Sequence, residues 1–206
     1  MKKGVFIVLE GPDRSGKSTQ AALLKAWLEE ERGRRVLVTR EPGGTSVAEK
    51  VRGILLDPKS EIAPLTELFL YETSRAQHTV ERILPALRAG KVVICDRYTL
   101  STTAYQGYGR GLDLKTVDTL NRVATLGLKP DLTIVFDMPD RVFGQRERLR
   151  GGRDRIERAP DAFRRRVNRA YKLLSRRPGM TRVDAGRPIE AVQADIRGRV
   201  ARLLGK

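Results

Sequence analysis

The chain has 206 residues, with 41 Lys or Arg against 25 Asp or Glu, a net charge of +16 and 40% hydrophobic residues. That length suits one domain with a sizeable core, residues 1–206, and no apolar run is long enough for a spanning helix. One cysteine and one histidine exclude an internal disulfide and a zinc cluster, which favours a reducing cytoplasm and, for any metal, a hard cation.

Met1, Lys2 and Lys3 ahead of an apolar run imitate an export signal, but the run is short and passes straight into Glu10, so the reading is against export. In chain order, the pattern predicts a strand at 5–9, a helix at 17–31 closed by Gly33, and a strand at 36–39. A long helix follows from about 66 to 89, bent at Pro85 and closed by Gly90, then a strand at 92–95 and a helix at 114–126 closed by Gly127. The remaining elements are a strand at 132–136, a helix at 162–175, a weak strand near Arg182 and Val183, and a helix at 189–204. Continuously apolar strands alternating with helices predict an α/β fold, a mainly parallel five-stranded sheet covered on both faces.

Each strand runs into an ionisable residue: Glu10, Arg40, Asp96, Asp137 and Asp184. Ligands in open α/β sheets bind at the carboxyl ends of strands, although Asp137 and Asp184 read equally well as ordinary polar strand ends. The Arg-rich stretch 146–158, with Gly151 and Gly152, is the candidate mobile segment. Residues 141–206 hold 20 Lys or Arg against seven Asp or Glu. That surplus suits either nucleic acid backbone or a highly anionic small substrate.

Gly11, Pro12, Asp13, Arg14, Ser15, Gly16, Lys17 and Ser18 fit the phosphate-binding pattern G-x-x-x-x-G-K-[ST] between a predicted strand and a predicted helix. There the glycines let backbone N–H groups turn inward around phosphate oxygens, Lys17 reaches the β- and γ-phosphates, and Ser18 can ligate Mg²⁺. No guanine-reading N-K-x-D follows, which argues against a GTPase. A small-molecule kinase needs a second anion site, and Arg40, Arg75 and Arg97 are its candidates.

Four segments then carry a resemblance. Residues 6–20 around the P-loop, Thr39 to Thr45 with Arg40-Glu-Pro-Gly-Gly, Asp96-Arg-Tyr98 with Ser101 and Ala104-Tyr-Gln106, and Asp154-Arg-Ile-Glu157 resemble the thymidylate kinase family in order and spacing, over nearly the whole chain. The resemblance implies a three-layer P-loop NTPase fold with a short Arg-rich lid, ATP as phosphate donor with Mg²⁺, dTMP as acceptor, and a homodimer formed through the long helices. It implies that Gly11 to Thr19 cradle the donor phosphates, with Ser18 and Asp96 at the metal and Arg148 over adenine. Arg75 and Arg97 become the clamp on the dTMP phosphate, and Asp13 reaches the 3′-hydroxyl. The base-stacking position, usually Phe, is Tyr71 here, with Phe69 nearby as the other candidate ring. Tyr105 crowds the sugar 2′ position, and Thr102 and Gln106 line the base side. Two arrangements of catalytic arginine coexist, Arg14 in the P-loop and Arg155 in the lid, beside Lys17 and Arg97.

The acceptor is itself a phosphate, already mostly ionised at neutral pH, so no general base is needed and His78 has no catalytic role. The rival readings are another nucleoside monophosphate kinase, or a nucleic-acid-binding P-loop ATPase. Only Phe143 interleaves with the basic stretch 141–158, which argues against the latter and against any stable nucleic acid partner.

Overall fold

The computed structural model describes residues 4–139, 142 and 154–205. Five strands, β1 (Val5–Glu10), β2 (Val36–Arg40), β3 (Val92–Asp96), β4 (Leu132–Asp137) and β5 (Met180–Asp184), form one fully parallel sheet in the order β2-β3-β1-β4-β5. All five expected strands are present, and each takes its terminal ionisable residue into the ladder. Leu9 pairs in register with Asp96, so the turn leaving β1 and the end of β3 meet at one place on the sheet's carboxyl edge.

Period-two alternation sorts the central strand. Ile7 and Leu9 face a layer made by α1 (Lys17–Glu30) and, at the chain's end, a helix over Ile189–Leu204, with Leu24, Leu28, Ile196 and Val200 fully buried between. Phe6 and Val8 face the opposite layer, with Ile83, Cys95 and Tyr98. A third apolar cluster joins Tyr105, Phe163, Val167, Tyr171 and Leu174 beside the site. These are the helix–sheet–helix layers that the continuous apolar strands predict.

Three local features differ from the sequence reading. Helix α2 (Ser46–Leu56) forms inside the segment read only as a signature. It is capped by Thr45 Oγ1, which accepts from the Ala48 N–H, and it buries Ala48, Val51 and Leu55. The long helix is α3 (Pro64–His78), a π-helical turn over Thr79–Ile83, and α4 (Leu84–Arg88). Pro85 has no N–H and its ring crowds the carbonyl four residues back; the widened turn, in which Leu84 N–H reaches Thr79 O, takes up that misfit. After β3, the chain makes α5 (Thr99–Thr102) and a π-helical stretch over Thr103–Gly109, where no helix was expected. Helices α6 (Leu114–Ala124), α7 (Asp161–Leu174) and α8 (Ile189–Leu204) follow.

Candidate active site

The P-loop runs from Gly11 to the start of α1 and rests on β4. A Cβ added at Gly11, whose φ is 145°, would meet Phe136 Cβ and Phe136 O at 2.9 Å, so only glycine lets the loop lie there. Arg14, within the loop, and Arg97, just past the end of β3, are non-glycine residues at positive φ, 62° and 72°. Such backbone conformations persist where surrounding contacts hold them, and both arginines are held by carboxylates.

Lys17 is buried, and its ammonium folds back on the carbonyls of Gly11 (3.1 Å) and Pro12 (2.8 Å). Burial, with the Arg97 charge adding to it, pushes this lysine down to about 8. Ser18 Oγ donates to Asp96 Oδ2 at 2.7 Å, while Asp96 Oδ1 is buried without a partner. A hydroxyl and an orphaned carboxylate oxygen at the foot of a phosphate loop are hard oxygen donors that fit Mg²⁺. Above them opens a cleft walled by Arg14, Lys17, Arg40, Arg52 and Asp96.

Arg97 joins this cleft to a second, deeper cavity. Its Nη1 donates to Gly11 O (2.9 Å), Ser101 Oγ (3.1 Å) and Tyr171 OH (3.0 Å), and its Nη2 to Asp13 Oδ1 (2.5 Å) and Tyr105 OH (3.2 Å). Behind it lies Glu10, fully buried, which accepts from the N–H groups of Tyr98 and Ser101, from Ser101 Oγ at 2.6 Å and from Tyr171 OH at 3.1 Å. Burial raises the Glu10 carboxyl, whereas Asp13 is held at about 2, because Arg97 and Lys17 outweigh its own burial. Sequence reasoning saw Glu10 only as a strand end and missed Tyr171. A tyrosine at a buried helix position carries no local signal of a partner arriving from the opposite end of the chain.

The deeper cavity holds Tyr71, Thr102, Tyr105 and Gln106 together with Arg75. Of the two candidate rings, Tyr71 lines it, while Phe69 is half exposed elsewhere on α3. Tyr105 OH donates to Asp13 Oδ2 at 2.8 Å, and Arg97 lies over its ring at 5.1 Å. Arg75, expected to share a phosphate clamp with Arg97, is placed differently. It is 2% exposed and donates to Glu41, Glu72, Asn121 and the Tyr98 carbonyl, which leaves a single guanidinium N–H uncommitted. Burial disfavours its charge, but Glu72 and Glu41 raise its pKa above the usual arginine range. A cation already neutralised by two carboxylates is a poor anion fork and a good fixed donor. His78 and Thr39 complete the network, through His78 Nδ1 with Glu41 at 3.0 Å and Nε2 with Thr39 at 2.6 Å.

Arg155 also stands apart from its expected role. Its Nε donates to Leu55 O and its Nη2 forms an ion pair with Glu67 at 2.7 Å without hydrogen-bond geometry, so it is turned toward α2 and α3 and lines neither the phosphate cleft nor the cavity. Among the described lid residues, Asp154 and Ile156 wall the cavity and Glu157 pairs with Arg14 at 3.4 Å. Arg148, expected at adenine, lies outside the described residues. Arg40 sits at the cleft with Glu49 at 3.1 Å. Arg52, which sequence reasoning missed with α2, lines both cavities.

A parallel sheet with a P-loop after its central strand, and one arginine bridging the P-loop cleft to a second cavity, form the arrangement of a P-loop phosphotransferase. The family model for thymidylate kinase matches residues 9–196. The thymidylate kinase of Pelotomaculum thermopropionicum is 52% identical over 200 residues, covering 94% of this chain and 91% of that protein. That of Gloeobacter violaceus is 48% identical, covering 95% and 94%. The crystal structure of thymidylate kinase from Ehrlichia chaffeensis superposes with a TM-score of 0.78 at 33% identity, covering 96% of this chain and 98% of that one. This chain belongs to the thymidylate kinase family.

Proposed function

We propose that the chain transfers the γ-phosphate of ATP to dTMP, giving ADP and dTDP on the route to dTTP. The observation that carries the site assignment is Arg97, which reaches the P-loop carbonyl of Gly11 with one nitrogen and, with the other, Asp13 at the wall of the second cavity. A guanidinium in that position aligns an acceptor phosphate with the donor phosphate and neutralises charge as it develops between them. Lys17 turns from the P-loop carbonyls to the β- and γ-phosphates when ATP enters. Arg14, held beside the loop by Glu157, is the second cation on the transferred group. Ser18 and Asp96 would hold Mg²⁺, which supplies charge neutralisation between the β- and γ-phosphates when bound.

In the cavity, Tyr71 covers one face of the base. The uncommitted N–H of Arg75 suits a neutral carbonyl such as thymine O4, and Tyr105 closes the sugar edge beside Asp13. An ADP-release assay against a panel of monophosphates tests the reading: dTMP is expected to exceed dUMP, and both to exceed CMP, AMP and GMP. Equal turnover across the panel would refute it.

We further infer a cytoplasmic homodimer. No helix among the described residues is long and apolar enough to cross a membrane, and Leu65, Phe69 and Val80 expose a large apolar surface along the long helix. Light scattering giving a monomer mass would rule the dimer out.

A further inference from the structure

The deeper cavity has a polarity that its lining residues alone do not fix. Gln106 is 1% exposed, and its amide can present either a carbonyl or an NH₂ group to a base. What decides between them lies one shell back. Gln106 Nε2 is 2.8 Å from Glu67 Oε1, and an ionised carboxylate only accepts, so the NH₂ end must face Glu67. Gln106 Oε1 accepts no hydrogen bond from the described residues and is left for the cavity. Thr102 Oγ1, equally buried and one helical turn away, also has no partner.

Glu67 is fully buried and is held as a carboxylate from several sides. Arg110 donates to both oxygens, Nε at 3.0 Å and Nη2 at 2.9 Å, and Arg155 Nη2 lies 2.7 Å from Oε2. Arg110 is itself seated over the Phe163 ring at 4.3 Å. Burial would favour the neutral acid, but the bonds from Arg110 and Gln106 and the two arginine charges keep this carboxyl below the ordinary range. Three pieces of the molecule therefore converge on one acceptor: α3, the end of the π-helical stretch, and the lid base.

We propose that Glu67 is a positioning residue that sets the base specificity of the acceptor site by locking the Gln106 amide with its carbonyl toward the base. This rests on the cavity being the dTMP site. Thymine and uracil present an N3–H donor beside the O4 acceptor; cytosine presents an N3 acceptor beside an N4 amine. The pair formed by Gln106 Oε1 and the spare Arg75 N–H complements the first edge and leaves two mismatched polar contacts against the second, a costly arrangement between side chains as buried as these. Arg155 belongs to the same device, since it helps keep Glu67 ionised from the lid side.

The test is the ratio of kcat/KM for dTMP to that for dCMP in the full-length protein. With Glu67→Gln, residue 67 gains both donor and acceptor character and Gln106 is free to turn. The ratio is expected to fall by about tenfold or more, while the dTMP to dUMP ratio stays unchanged, because those two bases share the edge being read. A parallel fall for dTMP and dCMP would reduce Glu67 to a structural anchor and overturn the proposal. Gln106→Met keeps Glu67 with both arginines and covers the case in which Glu67→Gln does not fold. It should lower the same ratio, and an unchanged ratio again overturns the proposal. A wild-type protein that phosphorylates no pyrimidine monophosphate would instead overturn the cavity assignment itself.

Discussion

Replacing Arg75 by Met keeps an apolar stem of similar length and removes the one cation between Glu41 and Glu72. All three side chains are at most 7% exposed, so solvent cannot take over the lost neutralisation. Removing one partner of a buried ion pair costs about 3–5 kcal/mol, because it strands uncompensated charge. At pH 7 the R75M variant is expected to lose stability in that range and to lose dTMP binding, while ATP binding survives. The pH dependence carries the sharper test. In the wild type, burial already raises the Glu72 pKa despite Arg75; without the cation it rises further. A group whose folded pKa is raised above its unfolded value is stabilising when protonated and costs stability as pH climbs through the folded value. The deficit of R75M should therefore shrink as the pH is lowered from 7 to 5, by up to about 1.4 kcal/mol per pH unit as Glu72 regains its proton. Urea titrations of both proteins at the two pH values read this directly. A deficit that does not change with pH, or one below about 1 kcal/mol at pH 7, would refute the charge-compensation argument.

Lys17, at about 8 in the free protein, must be charged to hold phosphate, so ATP binding above pH 8 should take up a proton and weaken by about tenfold per pH unit. Calorimetry in two buffers of different ionisation enthalpy at pH 9 measures that uptake, and an affinity flat between pH 8 and 9.5 would contradict it. Tyr105→Ala should raise activity on the ribonucleotide relative to dTMP, since a steric gate acts by clash; competition assays in which the ratio is unmoved would remove it from the sugar site. Arg14→Gly should lower kcat, whereas Arg155→Ala should act mainly on dTMP KM and stability. Because the two guanidiniums hold different carboxylates, their effects on kcat should multiply independently, and strong synergy in a double-mutant cycle would return Arg155 to the transferred phosphoryl group.

The layers of this fold were readable because apolar runs such as 5–9 and 92–95 have one physical solution, a parallel sheet buried on both faces. The P-loop was readable because its glycines and lysine act through the backbone, at fixed spacing. Helix α2 escaped because Gly53 interrupts it and only Ala48, Val51 and Leu55 mark its apolar stripe; the cap at Thr45 and Glu49 in its first turn were the available signal. Partner choice was not readable at all. Arg75 and Arg155 look alike in sequence to Arg97, yet two pair with buried carboxylates of other elements, while Arg97 pairs with the partly exposed Asp13 of the P-loop at the junction of the sites. Only tertiary contacts distinguish an arginine that neutralises the protein from one that serves a ligand.

Gly11 rests on Phe136, and that contact extends the active site into a strand that holds none of its ligands. The height of the phosphate cradle above the sheet is fixed by a β4 backbone and an aromatic Cβ at van der Waals limits, with no flexible side chain between to absorb a change. Those atoms are common to every residue but glycine, so substitutions at position 136 should leave the cradle's height alone and register in folding, through loss of the buried ring. Any side chain at position 11, by contrast, would meet the β4 backbone itself, so that position and not 136 is where a substitution lifts the phosphate cradle off the sheet.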